Sequence, residues 1–146
     1  MSNLEIVSLS NARQRMERLD DTHARFRAHL SQNGASQQFP DRLTLENLEI
    51  STAAFGMPLR AIPRIVRNGE REFAVEYTFA HHREEEVTPI WRFYLVEDGY
   101  LLADLSKPQS RICDFNNPHI AERLLIPLSL ATLASKLFAP ADRLDG

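Results

Sequence analysis

The stretch "FAVEYTFAHHREEEVTPIWRFYLVEDGYLL", Phe73 to Leu102, decides the fold. Two segments rich in β-branched and aromatic residues, the types that favour strands, flank the charged run at residues 83–86. The dipeptide Asp98-Gly99, which tight hairpin turns prefer, separates the second segment from the apolar "YLL". The pattern therefore predicts consecutive antiparallel strands, a β-meander.

The turns set the register that we predict for this meander. Asn68-Gly69 and Asp98-Gly99 are predicted to be two-residue hairpin turns with both central residues at positive φ. A further turn around Arg83-Glu84 pairs Tyr77 with Ile90 across the strands. The histidines and glutamates beside it then face one another at a hairpin end.

In this register the apolar residues fall on both faces of the sheet. The first face carries Phe73, Val75, Tyr77, Phe79, Ile90, Tyr94, Val96 and Leu101, and the second carries Trp91, Phe93, Leu95 and Leu102, interrupted by Glu76 and Asp104. An antiparallel sheet with one wet face would alternate apolar with polar residues, so we expect both faces to be largely covered. Pro89 cannot donate a ladder hydrogen bond, which predicts either an open edge or a bulge that would shift the pairing.

An amphipathic helix is predicted ahead of the meander, from Ser10 to Asn33. Its apolar positions recur at spacings of three and four, and Gly34 suits a left-handed residue that ends a helix. The narrow apolar stripe resembles that of a coiled coil, but packing on the protein's own sheet is favoured. The stripe comprises Ala12, Met16, Leu19, His23, Phe26 and Leu30.

A second helix is predicted after a short strand at Arg111 to Phe115, from Pro118 to about Ala139. Asn117 caps its start, proline suits its first turn, and Pro127 should kink it or split it in two. The helix is apolar nearly all round, which indicates burial on more than one side. We predict that it forms an interface through its leucines, Leu124, Leu128, Leu130, Leu133 and Leu137.

Together these elements predict one α+β domain over residues 1–146. Its antiparallel β-meander has about four to six strands, with the amphipathic helix on its N-terminal side and the apolar helix, kinked at Pro127, on its C-terminal side. A chain of 146 residues has the usual size of a single domain. Residues 42–62 are not assigned, because "RLTLENLEI" is compatible with a strand or a short helix.

Composition excludes several classes of protein. The net charge of −3 lacks the basic excess of a nucleic-acid-binding domain. A single cysteine, Cys113, rules out an intramolecular disulfide and argues against a cysteine-based zinc site. The first residues do not resemble a signal peptide, and the longest uncharged apolar run, residues 124–135, is shorter than the ~20 residues of a membrane span. We therefore expect a cytoplasmic protein that binds neither nucleic acid nor membrane.

Metal and cofactor chemistry find little support in the sequence. His81 and His82 are adjacent on a strand and point to opposite faces, so they are not expected to bind one ion together. Cys113, in the apolar "RICDF", is expected to be a small buried hydrophobic residue rather than a nucleophile. No phosphate-binding loop or hydrolase elbow is present. We predict no metal and no cofactor.

Two carboxylates are weak catalytic candidates. Asp104 and Glu76 share a predicted face with aromatic residues, where a pocket could raise their pKa for acid or base catalysis. The alternative is that Asp104 caps the turn into Lys107-Pro108 at a strand end.

Two functional hypotheses follow. The favoured one is a noncatalytic protein-binding or assembly module, a homodimer formed through apolar helix surface, because the apolar side chains exceed what one small core covers. The second is a small-ligand-binding protein or enzyme. It would use an apolar pocket lined by Trp91, Phe93, Tyr100 and Leu102, with an acidic polar end.

Overall fold

The computed structural model describes residues 3–69 and 72–138. Two α-helices enclose a run of strands in chain order: α1 (Asn3–Asn33), β1 (Thr44–Glu46), β2 (Glu49–Ala54), β3 (Met57–Asn68), β4 (Glu72–Arg83), β5 (Glu86–Val96), β6 (Tyr100–Leu102), β7 (Arg111–Asp114) and α2 (Ile120–Leu133). Short 3₁₀ turns at Pro108–Ser110 and Lys136–Phe138 precede β7 and follow α2. The α+β class is as predicted.

All seven strands form one antiparallel sheet in the order β1 to β7, a continuous meander. The count exceeds the predicted four to six because the unassigned residues 42–62 supply β1, β2 and the start of β3. Asn47 between β1 and β2, and Phe55 with Gly56 between β2 and β3, adopt positive φ in tight turns. These turns divide the segment into short strands, which explains why its sequence shows no sustained periodicity of a strand or of a helix.

The predicted pairing of β4 with β5 is wrong. The turn consists of Glu84 and Glu85, one residue later than predicted, so that Arg83 pairs with Glu86. A bulge next to Pro89 then adds a further shift, and Tyr77 faces Phe93 rather than Ile90. Beyond the bulge the total shift of three residues is odd, and an odd shift moves the β5 side chains from Trp91 onward to the other face of the sheet.

The β5–β6 turn also differs from the prediction. Leu95 pairs with Leu101, which leaves the three residues 97–99 in the turn instead of two. Gly99 has a φ of +94° and its N–H donates to the Val96 carbonyl at 2.9 Å. A three-residue turn that ends in a left-handed glycine is the next most common hairpin connection. The β3–β4 connection is likewise longer than predicted, since Asn68 pairs with Glu72.

One face of the sheet, the inner face, packs against both helices in a single core. Its fully or almost fully buried strand residues are Ile50, Leu59, Ala61, Val75, Tyr77, Phe79, Phe93, Leu95 and Leu101. The Phe26 ring of α1 lies 5.7 Å from Tyr77 and 6.1 Å from Phe93, centroid to centroid. Aromatic packing of this kind stabilises beyond the buried area alone.

The other face, the outer face, carries no helix within the described part of the chain. Ala74, Glu76 and Ala80 of the central strand are nevertheless buried there. The side chains of Arg64 and Arg92 reach Glu76 from the two neighbouring strands and shield it. Within the described residues, two small residues and two long side chains protect the centre of this face, and no helix of this chain supplies the larger cover that the sequence predicted there.

α1 is longer than predicted and begins at Asn3 rather than Ser10. Its buried residues start only at Leu19, so its first turns extend beyond the core with Leu4 and Val7 exposed. Gly34 follows the helix without the predicted left-handed φ. It is required for another reason: a Cβ there would lie 2.1 Å from the Leu43 carbonyl oxygen.

α2 begins at Ile120, two residues after the predicted Pro118. The predicted cap at Asn117 is wrong, because His119 is the residue before the helix and it makes no side-chain cap hydrogen bond; the Asn117 side-chain oxygen instead accepts a hydrogen bond from the His119 N–H at 2.8 Å in the preceding turn. Pro127 lies inside the helix, and a kink there stays a prediction. The helix ends at Leu133, before the predicted end at Ala139, which lies outside the described residues.

Candidate functional site

α2 has one buried and one exposed apolar side. Leu124 and Leu128 are fully buried in the core, so these two predicted interface residues are core residues instead. Leu130 is 64% exposed and Leu133 is 49% exposed. Leu137 is partly exposed, in the 3₁₀ turn after the helix. The predicted set of leucines therefore divides between the core and the molecular surface.

Ile126, Leu130 and Leu133 form what we call the α2 surface. They lie at positions i, i+4 and i+7, which places them on one side of the helix. Ile126 is 46% exposed. No charged residue occurs between Arg123 and Lys136. The α2 surface is thus an apolar strip about two turns long with charges only at its ends.

Two phenylalanines lie at the end of α2. The Phe55 ring in the β2–β3 turn and the Phe138 ring meet edge to face with centroids 5.9 Å apart. Phe55 has a φ of +52° and is 54% exposed. A bulky residue rarely adopts positive φ, and the conformation costs roughly 1–2 kcal/mol. The turn therefore holds a strained, exposed aromatic side chain against the segment that follows α2.

The four predicted ligand-binding residues do not line one cavity. Trp91 and Phe93 belong to the inner face, where the Trp91 ring stacks on Phe79 and Phe93 is fully buried. Leu102 pairs with Tyr94 on the outer face, and Tyr100 lies on that same face. The three-residue β5–β6 turn shifts β6 by one residue relative to β5 and so separates the two pairs, and the predicted pocket on the Trp91 face is not assembled.

Tyr100 and Leu102 instead line a different cavity, which we call the β6 cavity. It has a volume of about 390 Å³ and lies beside the β5–β6 turn. This size is within the range of small-molecule sites. Its walls are Glu72, Phe73, Val96, Glu97, Asp98, Tyr100, Leu102, Leu105, Pro108 and Arg111.

Glu76 has the environment of a structural ion pair. Arg64 Nε donates to its Oε1 at 2.8 Å, and Arg92 lies 3.8 Å from its Oε2. Burial would raise the pKa of Glu76, but the hydrogen bond and charge of Arg64 and the charge of Arg92 together lower it. A carboxylate held ionised in this way is unsuited to the proposed role of a general acid.

Asp104 caps a turn, as the alternative interpretation stated. Its Oδ1 accepts hydrogen bonds from the Ser106 hydroxyl at 2.7 Å and the Ser106 N–H at 3.0 Å. These bonds lower the pKa of Asp104, contrary to the raised pKa that catalysis was predicted to use. Asp104 and Glu76 also belong to separate clusters of contacts. The structure does not bring the two carboxylates together in a site.

The remaining polar candidates have structural partners. His81 Nδ1 lies 2.9 Å from the Pro58 carbonyl oxygen, and His82 pairs with Val87 across the hairpin. Burial raises the pKa of the Cys113 thiol to about 11, which keeps it protonated and unreactive near neutral pH. Among the described residues, no three His, Cys, Asp or Glu side chains are grouped closely enough to hold a metal ion.

A partly buried polar pair was not predicted. His23 Nε2 lies 2.5 Å from the Tyr77 hydroxyl oxygen, which joins α1 to the central strand inside the core. Burial, and then the nearby charge of Arg27, lower the pKa of His23 despite the opposing charge of Asp20. The available signal was a histidine within the apolar stripe of a helix, since a polar residue there needs a partner from the facing sheet.

Comparison with known proteins gave no match to any protein-family model, curated protein or solved structure. Within the described residues, neither helix combines the length and apolar character that crossing a membrane requires. The geometry of the α2 surface and of the β6 cavity is therefore the basis for the functional proposals that follow.

Proposed function

We propose that this protein is a noncatalytic assembly module that forms a homodimer through the α2 surface. The observation that carries the proposal is the row of exposed Ile126, Leu130 and Leu133 on a helix whose opposite side is fully buried. Monomers rarely expose contiguous apolar patches larger than a few hundred Å². A second copy presents the same row, and two-fold pairing of identical patches is the most common form of homodimer.

The phenylalanines beside the helix support the size of such an interface. A stable interface buries about 800 Å² on each partner, more than three aliphatic side chains provide. Phe55 and Phe138 extend the apolar surface beyond the end of α2. The strained backbone of Phe55 is consistent with a role for its exposed ring, because residues in unfavourable conformations are concentrated at functional sites.

The environments of the candidate acids favour a noncatalytic role. Contacts lower the pKa of both Glu76 and Asp104, so neither resembles the poised acid or base of an enzyme. Both carboxylates are accounted for by arginine pairing or turn capping. Self-association through the α2 surface uses none of these groups.

The substitution Leu130→Glu tests the proposal. Multi-angle light scattering at micromolar concentration should give twice the chain mass for the wild type and the chain mass for the variant. A charge in the middle of the apolar contact should cost about 2–4 kcal/mol of association free energy, or roughly 30- to 1000-fold in affinity. Because Leu130 is mostly exposed, the variant should fold with an unchanged circular dichroism spectrum.

Leu48→Glu is the matched control. Leu48 is 57% exposed in the β1–β2 turn, outside α2, so the same change in charge and size there should leave the dimer intact. A wild-type protein that is monomeric throughout the micromolar range would refute the proposal. So would a Leu130→Glu variant that dimerises as tightly as the wild type.

A further inference from the structure

The β6 cavity combines an apolar wall with an acidic side. Phe73, Val96, Leu102, Leu105 and Pro108 provide the apolar surface. Glu72 and Asp98 add two exposed acidic side chains to the same lining, which Glu97 also joins. Ligand sites commonly have this composition, with apolar walls that give affinity and a few charged groups that orient the ligand.

The one cation in the wall is already engaged. The guanidinium of Arg111 lies over the Tyr100 ring, 3.6 Å from its centroid, and is paired with Asp114. Its charge is therefore balanced within the protein. Arg111 also shows that a planar cation is accommodated on an aromatic ring at this site.

The carboxylates are less completely balanced. Glu97 Oε1 is 3.7 Å from Arg15 and 4.0 Å from Arg18, both long for ion pairs, while its buried Oε2 has no hydrogen-bond partner among the described residues. Glu72 and Asp98 form no ion pair with any other described residue. Glu72 and Asp98 are exposed, so these two carboxylates are the ones that a cation entering the cavity can reach.

The arrangement of the carboxylates selects the kind of cation. A metal ion needs several ligands that converge within about 2.5 Å of one point. The described carboxylates do not form such a group. An organic cation differs, because its N–H donors are spread over several ångströms and its carbon chain gains from burial against apolar walls.

We infer that the β6 cavity binds an organic cation, a primary amine or guanidinium attached to an apolar chain. The charged group lies beside Glu72 and Asp98, and the chain lies along Phe73 and Leu102. This binding site is separate from the α2 surface, so its occupation does not depend on self-association.

Isothermal titration calorimetry with hexylamine tests this inference. Hexanoate, which has a similar chain and the opposite charge, is the matched probe, and hexanol is the neutral one. We expect hexylamine to bind the full chain at millimolar concentration, with hexanol weaker and hexanoate weakest. Equal binding of the amine and the carboxylate, or no heat with hexylamine at these concentrations, would overturn the assignment.

The variants Glu72→Gln and Asp98→Asn locate the site. Each removes one exposed charge at nearly constant shape and should weaken hexylamine binding by about two- to fivefold, the usual range for an exposed charge pair. Glu85→Gln in the β4–β5 turn makes the same change away from the cavity and should have no effect. If all three variants bind hexylamine as the wild type does, the amine is not held by the carboxylates of the β6 cavity.

Leu102→Glu distinguishes the cavity from general attraction to an acidic surface. Leu102 is 7% exposed and lines the cavity wall, so a glutamate there would fill apolar space while adding negative charge. Weaker hexylamine binding to this variant, with a native circular dichroism spectrum, would support the cavity. Tighter binding would show that charge alone attracts the amine and would contradict the inference.

Val96→Ala provides the same comparison if Leu102→Glu fails to fold. This substitution enlarges the cavity at its wall without changing the charge. Reduced hexylamine binding would support the cavity, and unchanged binding would oppose it.

Discussion

At the scale of single residues, the His23–Tyr77 pair links the helix to the sheet with a polar contact inside an aromatic core. The Tyr77 ring stacks on Phe93 with centroids 5.2 Å apart, and its hydroxyl reaches His23. Burial raises the pKa of Tyr77, so the phenol stays protonated at all physiological pH values. A neutral His23 can accept a hydrogen bond from the Tyr77 hydroxyl, whereas a protonated His23 has no acceptor nitrogen for it.

This pair predicts a pH dependence of stability. The pKa of His23 is lowered in the folded protein, so the unfolded chain binds a proton first as the pH falls. The contribution of His23 is therefore complete above the unfolded pKa of about 6.5 and is lost as the pH falls through that value. Urea denaturation at pH 7.5 and at pH 5.5 should show a lower free energy of unfolding at the acidic value.

The variant His23→Gln should lose most of the difference in free energy of unfolding between pH 7.5 and pH 5.5, because glutamine does not titrate between these pH values. His82→Gln, at the far end of the β4–β5 hairpin, removes a histidine outside the core and should retain it. An equal pH effect in the wild type and in His23→Gln would assign the dependence to other groups.

At the scale of elements, α2 combines two roles on its two sides. The sequence shows apolar residues nearly all round the helix and thereby indicates surplus apolar surface. It does not show which leucines face the core. That assignment follows from the packing of the helix on β5 and β7, which places Leu124 in the core and Leu130 outside.

Alanine substitutions of these two leucines should separate the roles. Leu124→Ala should lower the free energy of unfolding by about 2–5 kcal/mol, because it removes buried contacts and leaves a cavity. Leu130→Ala should change the free energy of unfolding of the monomer by less than about 1 kcal/mol, but it should weaken self-association. Chemical denaturation at low protein concentration together with sedimentation measures both effects. Similar losses of stability in the two variants would show that the sides of α2 are not distinct.

At the scale of the whole molecule, one meander supports both proposed sites on different parts of its surface. Both helices pack on the inner face, which leaves the outer face and the end of β6 accessible for the β6 cavity. The α2 surface lies on the side of the helix turned away from this core. We therefore expect that separate substitutions would remove the proposed self-association and the proposed ligand binding.

A homodimer also predicts that thermal stability depends on protein concentration. Mass action stabilises a dimer that unfolds to monomers by about 1.4 kcal/mol for each tenfold increase in concentration, which raises Tm by a few degrees. Calorimetry from about 5 to 500 μM should show this rise in the wild type. In Leu130→Glu the Tm should be independent of concentration, and a wild-type Tm that does not move would contradict dimerisation.

Much of the fold could be predicted from local patterns. The two helices and the central strands β4 and β5 have strong periodicity or β-forming composition, and the bulge was one of two outcomes foreseen at Pro89. The first two strands could not be assigned because they are short and are joined by turns that use Asn47 and Phe55 at positive φ. Phe55 in particular carries no turn signal, since aromatic residues favour strands.

The candidate sites were less predictable because they depend on register. The bulge exchanged the faces of β5 beyond Pro89, while the extra residue in the β5–β6 turn kept β6 on its predicted face relative to β4. The predicted register therefore combined Trp91 with Tyr100 in a pocket that does not exist. The side-chain period of a strand is two, so small errors in turn length have full effect on the composition of each face.

The sequence by itself determined the class of this protein, an antiparallel meander flanked by two helices, and the excess of apolar side chains on the second helix. Both depend on the order of neighbouring residues, which sets strand, turn and helix preferences locally. Only the tertiary structure decided which leucines of α2 face water and which residues line the β6 cavity. These depend on hairpin register and on the packing of helix against sheet, which bring together residues that are distant in the chain.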